Sequence, residues 1–266
     1  MSLAARGPLD PPPAGREAAL AERWRRLRAG VPSALYLAGV AVLLLLVMVG
    51  LGLLLAKVAS HDAVGRADTW VSRWLAARRS RDLNDVTHWT TDLAETLTIT
   101  VLAVVTAAVS ALAWRRWREP LLVAVAVAGE VGVFLLVTLL VDRPRPPVGH
   151  LDQAPPTSSF PSGHTAAAIV MYGTLAVLAH QHARSVLVRG LFTVLAVVVP
   201  LVVAASRVYR GMHFTSDILG GALLGVTWLL ASLRGIRLGV LHQRLQAGRA
   251  RSPGARTGRG SALRHG

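Results

Sequence analysis

The stretch Ser33–Ala56, SALYLAGVAVLLLLVMVGLGLLLA, holds 24 residues and not one charge. A helix of that length crosses the roughly 30 Å hydrocarbon core of a bilayer. More apolar runs follow it. Leu97–Ala113 has 17 residues without charge, and Pro120–Val141 is interrupted only by Glu130. Thr165–Ala179, Gly190–Ala205 and Ile218–Leu233 are shorter, and each is extended by polar residues at one end. The expected fold is therefore all-α, a six-helix transmembrane bundle over residues 33–233. Polar residues precede the first run and no clean small-residue cleavage site follows it, so an uncleaved first helix is expected.

Composition excludes the alternatives. Of the 266 residues, 53% are hydrophobic and 16% charged, against roughly 25% charged in a soluble domain. A soluble enzyme and a wholly disordered chain are both ruled out. The absence of cysteine removes disulfides, thiolate metal sites and a cysteine nucleophile. The formal net charge of +15 sits mostly at the ends: residues 1–32 hold six Arg against three acids, and residues 234–266 hold eight Arg and no acid. Basic tails flanking membrane spans read as cytoplasmic segments facing anionic headgroups, and no nucleic-acid partner is expected. Both tails, 1–32 and 234–266, are expected to be largely disordered.

Arg in the loops sets the orientation. With the N-terminus inside, Arg115, Arg116, Arg118, Arg184 and Arg189 fall in cytoplasmic loops. The outside segment Lys57–Glu95 balances five Arg and one Lys with six acids. Within it, Ala67–Arg81 places Trp70 and Trp74 at helical spacing, which fits either an interfacial amphipathic helix or a packed loop. The expected location is the cell membrane, with both termini cytoplasmic.

Three polar clusters interrupt the apolar chain: Asp142–Pro147 (DRPRPP), Ser158–Thr165 (SSFPSGHT) and Ser206–Asp217 (SRVYRGMHFTSD). Counting spans puts all three at the extracytoplasmic face. Arg143, Arg145, Arg207 and Arg210 converge there with His164 and His213. Arg is suited to bidentate phosphate recognition, and Gly163–His164 opens a helix whose N-terminus attracts anions. His213 and Asp217 are i and i+4, so on a helix they share a face. A carboxylate against one imidazole nitrogen fixes the tautomer and leaves the other nitrogen free to attack. His164, from a separate loop, suits a general acid. No metal or other cofactor is required, and His150, Asp152 and His164 are too sparse a set for a metal site.

These residues resemble the type 2 phosphatidic acid phosphatase (PAP2) superfamily, which also includes the vanadium haloperoxidases, and within it the bacterial integral membrane members. The family signature is Lys-x6-Arg-Pro, then Pro-Ser-Gly-His, then Ser-Arg-x5-His-x3-Asp. Pro161-Ser162-Gly163-His164 matches the second part, and Ser206, Arg207, His213 and Asp217 match the third. Arg145-Pro146 matches the end of the first, but Thr138 stands where the family has lysine. The resemblance implies a metal-independent lipid phosphatase. Its substrate would be a membrane lipid phosphomonoester or diphosphate of the phosphatidic acid, phosphatidylglycerol phosphate or polyprenyl diphosphate type. It implies His213 as the nucleophile forming a phosphohistidine, Asp217 as its orienting partner and His164 as the acid. It implies Arg145, Arg207, Ser162 and Gly163 as phosphate ligands, with Arg143 as a candidate replacement for the lysine. A lipid phosphotransferase would use the same residues, and an inactive lipid-binding relative would share the spans. Arg210 fits either a phosphate ligand or a loop charge. Glu130, in mid-span and in line with Phe134 and Thr138, fits either a bundle hydrogen bond or a catalytic role.

Overall fold

A computed structural model describes residues 14–57 and 62–250 of the chain. They form α1 (Ala14–Lys57), α2 (Ala63–Ala76), α3 (Arg81–Asp92), α4 (Thr96–Trp114), α5 (Arg118–Leu140), α6 (Gly163–His182), α7 (Val186–Tyr209) and α8 (Thr215–Ala250), with no strand among the described residues. The chain divides into two compact units, Leu37–Arg234 and Met1–Tyr36 with Gly235–Gly266. All three polar clusters lie in the first.

Among the described residues, five helices are long and apolar enough to cross a membrane: their windows lie in 31–57, 81–114, 118–140, 186–209 and 215–242, with mean hydropathy from 1.5 to 2.9. The chain is an all-helical transmembrane bundle. Leu97, Leu112, Leu139 and Leu187 point outward, each more than 70% exposed, as lipid-facing residues do. The sixth expected span, α6, is not in this apolar set, and its burial accounts for that. It packs against α4, α5 and α7, and Thr165, Ala166, Ala168, Val170, Met171 and Thr174 are all buried. A helix enclosed by protein has no lipid-facing surface to keep apolar.

Close backbone approach holds α8 to α6. A Cβ at Gly225 would lie 2.9 Å from the Ala166 carbonyl, and one at Gly221 would overlap the Ser162 carbonyl. Small residues at such crossings let helices meet where lipid gives no hydrophobic drive. At the same crossing Ala166 and Leu224 join Met48, Val137, Val141, Phe160 and Trp228 in a core cluster. The short helices α2 and α3 lie between α1 and α4 in the chain, and both pack against α7.

The tails depart from expectation. Helix, not disorder, covers 14–32 and 234–250, because α1 begins at Ala14 and α8 ends at Ala250. The sequence between Ala14 and Ala29 is rich in Ala, Leu, Glu and Arg, all strong helix formers. Residues 1–13 and 251–266, also expected to be disordered, lie outside the described residues.

Candidate active site

The three polar clusters meet at one end of the Leu37–Arg234 unit: the loop after α5, the start of α6 and the turn between α7 and α8. Gly211 makes that turn possible. Its φ of +77° lies in the left-handed region where a side chain would be strained. The Met212 N–H then returns to the Arg207 carbonyl at 3.0 Å, and His213 is set down just before α8 starts at Thr215.

His213 is buried. Its Nδ1 lies 2.7 Å from the Ser159 carbonyl. A carbonyl can only accept, so Nδ1 carries the proton and Nε2 keeps its lone pair. No hydrogen bond reaches Nε2 among the described residues. Burial first, then the charges of Arg207 and Arg145, hold the imidazole well below the ordinary histidine range. The ring is therefore neutral at neutral pH, as an attacking nitrogen must be.

Asp217 is not placed as its spacing suggested. Its Oδ2 lies 3.9 Å from His213 Nδ1, outside hydrogen-bond reach. Residues i and i+4 share a face only within a continuous helix, but His213 precedes the helix and Asp217 sits in its first turn. There Asp217 caps α8, accepting from the Phe214 N–H at 2.8 Å. It also accepts from the Ser159 hydroxyl and from Arg143 Nη1. Asp217 thus acts on His213 through Ser159, whose backbone carbonyl holds the ring and whose side chain the carboxylate holds.

The four arginines divide into two pairs. Arg143 is 4% exposed, with Nη1 on Asp217 and Ser216 and Nη2 on Asp68 at 2.9 Å. Both terminal nitrogens are committed, so Arg143 is a buried structural cation and not a replacement for the missing lysine. Thr138 does not fill that role either, since its hydroxyl donates to the Leu135 carbonyl of its own helix. Arg210 is likewise spent: it donates to Asp152, the Asn84 and Leu151 carbonyls and Thr87. Burial alone would raise the Asp152 carboxyl, but Arg210 and Arg207 hold it below the usual carboxylate range.

Arg145 and Arg207 differ. Arg145 donates one bond, to the Met212 carbonyl at 2.7 Å, and Arg207 one, to Asp152 at 2.8 Å. The Nε of each is buried with no hydrogen-bond partner among the described residues. Buried donors are normally paired, so two unpaired guanidinium edges beside His213 mark a place for an acceptor. The N-terminus of α6 adds to it. Ser162 caps that helix without a side-chain bond to it, and its hydroxyl shares a hydrogen bond with Thr165 instead. The first amides, Gly163 and His164, are left unbonded within the described residues, where a helix N-terminus favours an anion. The ring of Phe134 packs so closely on Gly163 that any Cβ there would overlap it.

His164, in the first turn of α6, is partly exposed, its Nε2 3.1 Å from Glu95 Oε2. Glu95, at the head of α4, was not singled out from sequence. Neither was Asp68 on α2, nor Ser159, although Ser159 lies inside the second cluster. Asp68 binds Arg143, the Ser216 amide and the Ser216 hydroxyl. The signal available for it was the polar stripe Gly65, Asp68, Ser72 on a short helix that carries Trp70 and Trp74 on its other side; Glu95 was signalled only by its place just before an apolar run. Glu130 is 1% exposed on the inward face of α5, one turn from Phe134.

Comparison with known proteins agrees with this geometry. The family model described as the PAP2 superfamily matches residues 119–238. Phosphatidylglycerophosphatase B of Bacillus subtilis is 29% identical over 175 residues, covering 65% of this chain and 85% of that protein. The crystal structure of a transmembrane PAP2-type phosphatidylglycerolphosphate phosphatase from Bacillus subtilis superposes with a TM-score of 0.58 at 26% identity, over 78% of this chain and 96% of that one. LpxE of Aquifex aeolicus gives a TM-score of 0.48 at 21% identity, over 61% and 92%. With the second and third signature motifs brought to one end of the Leu37–Arg234 unit, the chain is similar over residues 119–238 to the PAP2 superfamily and, over most of its length, to a PAP2-type transmembrane phosphatase.

Proposed function

We propose that the protein hydrolyses a lipid phosphate at the extracytoplasmic face of the cell membrane through a phosphohistidine, without a metal. The observation that carries this reading is the pair of buried Nε donors, on Arg145 and Arg207, without partners among the described residues, whose charges act on a histidine with no hydrogen bond at Nε2 among those residues. His213 Nε2 attacks phosphorus in line while the bond to the lipid oxygen breaks. Arg145, Arg207 and the α6 amides at Gly163 and His164 neutralise the equatorial oxygens. His164 gives its proton to the leaving oxygen. It then takes one from water, whose oxygen attacks the phosphohistidine and frees the phosphate and His213. The positive charge a metal would bring is supplied by permanently charged guanidinium groups.

Three features support the location and substrate class. The site end is opposite the loops bearing Arg115, Arg116, Arg118, Arg184 and Arg189, and the positive-inside rule supports an extracytoplasmic position for it. The helices that lead into the site, α5 and α7, also present outward apolar side chains such as Leu139 and Leu201. The similarity to a phosphatidylglycerophosphatase spans most of that enzyme's length, so phosphatidylglycerol phosphate is the first substrate to test, ahead of phosphatidic acid and polyprenyl diphosphates. Phosphate release from such a panel, in detergent with excess EDTA, tests the reading. Release by the wild type and not by His213→Asn is expected. Loss of activity to EDTA with recovery in magnesium would overturn it.

A further inference from the structure

Helix α2 is amphipathic the wrong way round for a helix packed on protein. Its buried stripe is polar: Gly65, Asp68 and Ser72 face inward. Asp68 is tied to Arg143 and Ser216, and Ser72 donates to the Asp68 carbonyl of its own helix. Its outward stripe is aromatic and basic. Trp70 is 64% and Trp74 42% exposed, and their rings stack at 6.3 Å. The guanidinium of Arg78 lies over the Trp74 ring at 3.9 Å. Gly65, Arg66, Thr69, Trp70, Arg73 and Trp74 line a shallow cavity of about 480 Å³. Arg73 makes no ion pair among the described residues.

A water-facing helix would not present two stacked tryptophans, and a protein-facing one would not present three arginines around them. The boundary between headgroups and acyl chains accepts both. At 14 residues α2 is too short to span, and it lies at the active-site end, anchored there by Asp68. We propose that the outer face of α2 is a docking site for an anionic phospholipid of the surrounding leaflet. The phosphate would sit against Arg66 and Arg73, and Trp70 and Trp74 would lie along the glycerol and upper acyl chains. The charge decides the partner: Arg73 has no ion pair among the described residues, Arg78 stands beside it over Trp74, and the one acid within the helix, Asp68, is turned inward and committed to Arg143. The site is separate from the pocket of Arg145, Arg207 and His213 and lies outside the residues matched by the family model.

The test reads binding, not turnover, so its outcome is independent of the reaction proposed above. The full-length protein is placed in nanodiscs of phosphatidylcholine with acyl-brominated phosphatidylglycerol or, at equal fraction, acyl-brominated phosphatidylcholine. Tryptophan emission is compared with that of a Trp70→Phe, Trp74→Phe variant, which isolates the signal from this face. Brominated phosphatidylglycerol is expected to quench that signal more strongly, and Arg73→Gln with Arg66→Gln to abolish the excess while helicity and elution volume stay at wild-type values. Equal quenching by the two lipids would reduce the face to a nonselective interfacial helix and overturn the proposal. So would quenching by neither, with α2 cross-linking to a second copy. The wild-type contrast stands by itself should a variant fail to fold.

Discussion

Arg143 and Arg207 enter the site end almost equally buried, at 4% and 5% exposure, yet their surroundings are opposite. Arg143 lies between two carboxylates, Asp68 and Asp217, with Ser216 and the Phe214 ring completing its contacts. Arg207 has one carboxylate, Asp152, and an Nε with no partner. The same contrast runs through the neighbours. Asp217 and Ser159 are closed into the first layer, while Arg145 and the free nitrogen of His213 belong to the second. A closed polar layer fixes geometry, because each group holds the next and breaking it strands a buried charge. An open layer is poised for a ligand, because its unmet donors are met only when an anion arrives.

Substitutions that separate the layers follow from this. The largest effect belongs to the open layer: His213→Asn removes the attacking nitrogen, and turnover should fall roughly a thousandfold or more, with the melting temperature near wild type. In the closed layer Asp68→Asn leaves Arg143 with a single carboxylate. Breaking a buried pair costs about 3 kcal/mol or more, so its signature is a lowered melting temperature in detergent, with activity lost alongside. A variant as stable as wild type would show that the Asp68–Arg143 pair does not hold the site. Arg207→Lys keeps the charge but not the planar fork, and should cost about tenfold in kcat/KM, ~1.4 kcal/mol, with little change in stability.

The smallest effect is a displacement in pH. His213 must be neutral to attack, and burial with Arg207 and Arg145 lowers its proton affinity. The acidic limb of kcat/KM should therefore lie below the ordinary histidine value of about 6.5. Neutralising Arg207 as Gln removes one depressing charge and should move that limb to higher pH, whereas Arg207→Lys should leave it in place. A limb indifferent to both would mean that a different group sets it.

The division between layers also marks how far the sequence could be read. The spans were legible because an uncharged apolar run of bilayer length would be insoluble anywhere but in a membrane. Helix α6 was legible despite its polarity because the motif residues at its head announced it. Pro161–His164 and Ser206–Asp217 pointed to segments that the fold brings to one end of the Leu37–Arg234 unit. What periodicity does not contain is which charge answers which. Arg143 and Arg145 are two residues apart and look alike in sequence; only the arrival of Asp68, 75 positions upstream on α2, makes one structural and leaves the other with an unpaired edge. Asp217 was misplaced for a local reason: i and i+4 share a face only inside a helix, and α8 begins two residues after His213. Ser159 holds the ring through a backbone carbonyl, a role any residue type can supply.

In the proposed reaction the open layer converges on one bond, from His213 to phosphorus. Acid-free quenching of the wild-type protein during turnover would trap it, with a lipid substrate radiolabelled at the phosphate, in excess EDTA, and mapping of the labelled peptide. An acid-labile, base-stable phosphate is expected on the peptide containing His213, and none on the His213→Asn protein. Label on another residue, or turnover by His213→Asn at the wild-type rate, would contradict the assignment.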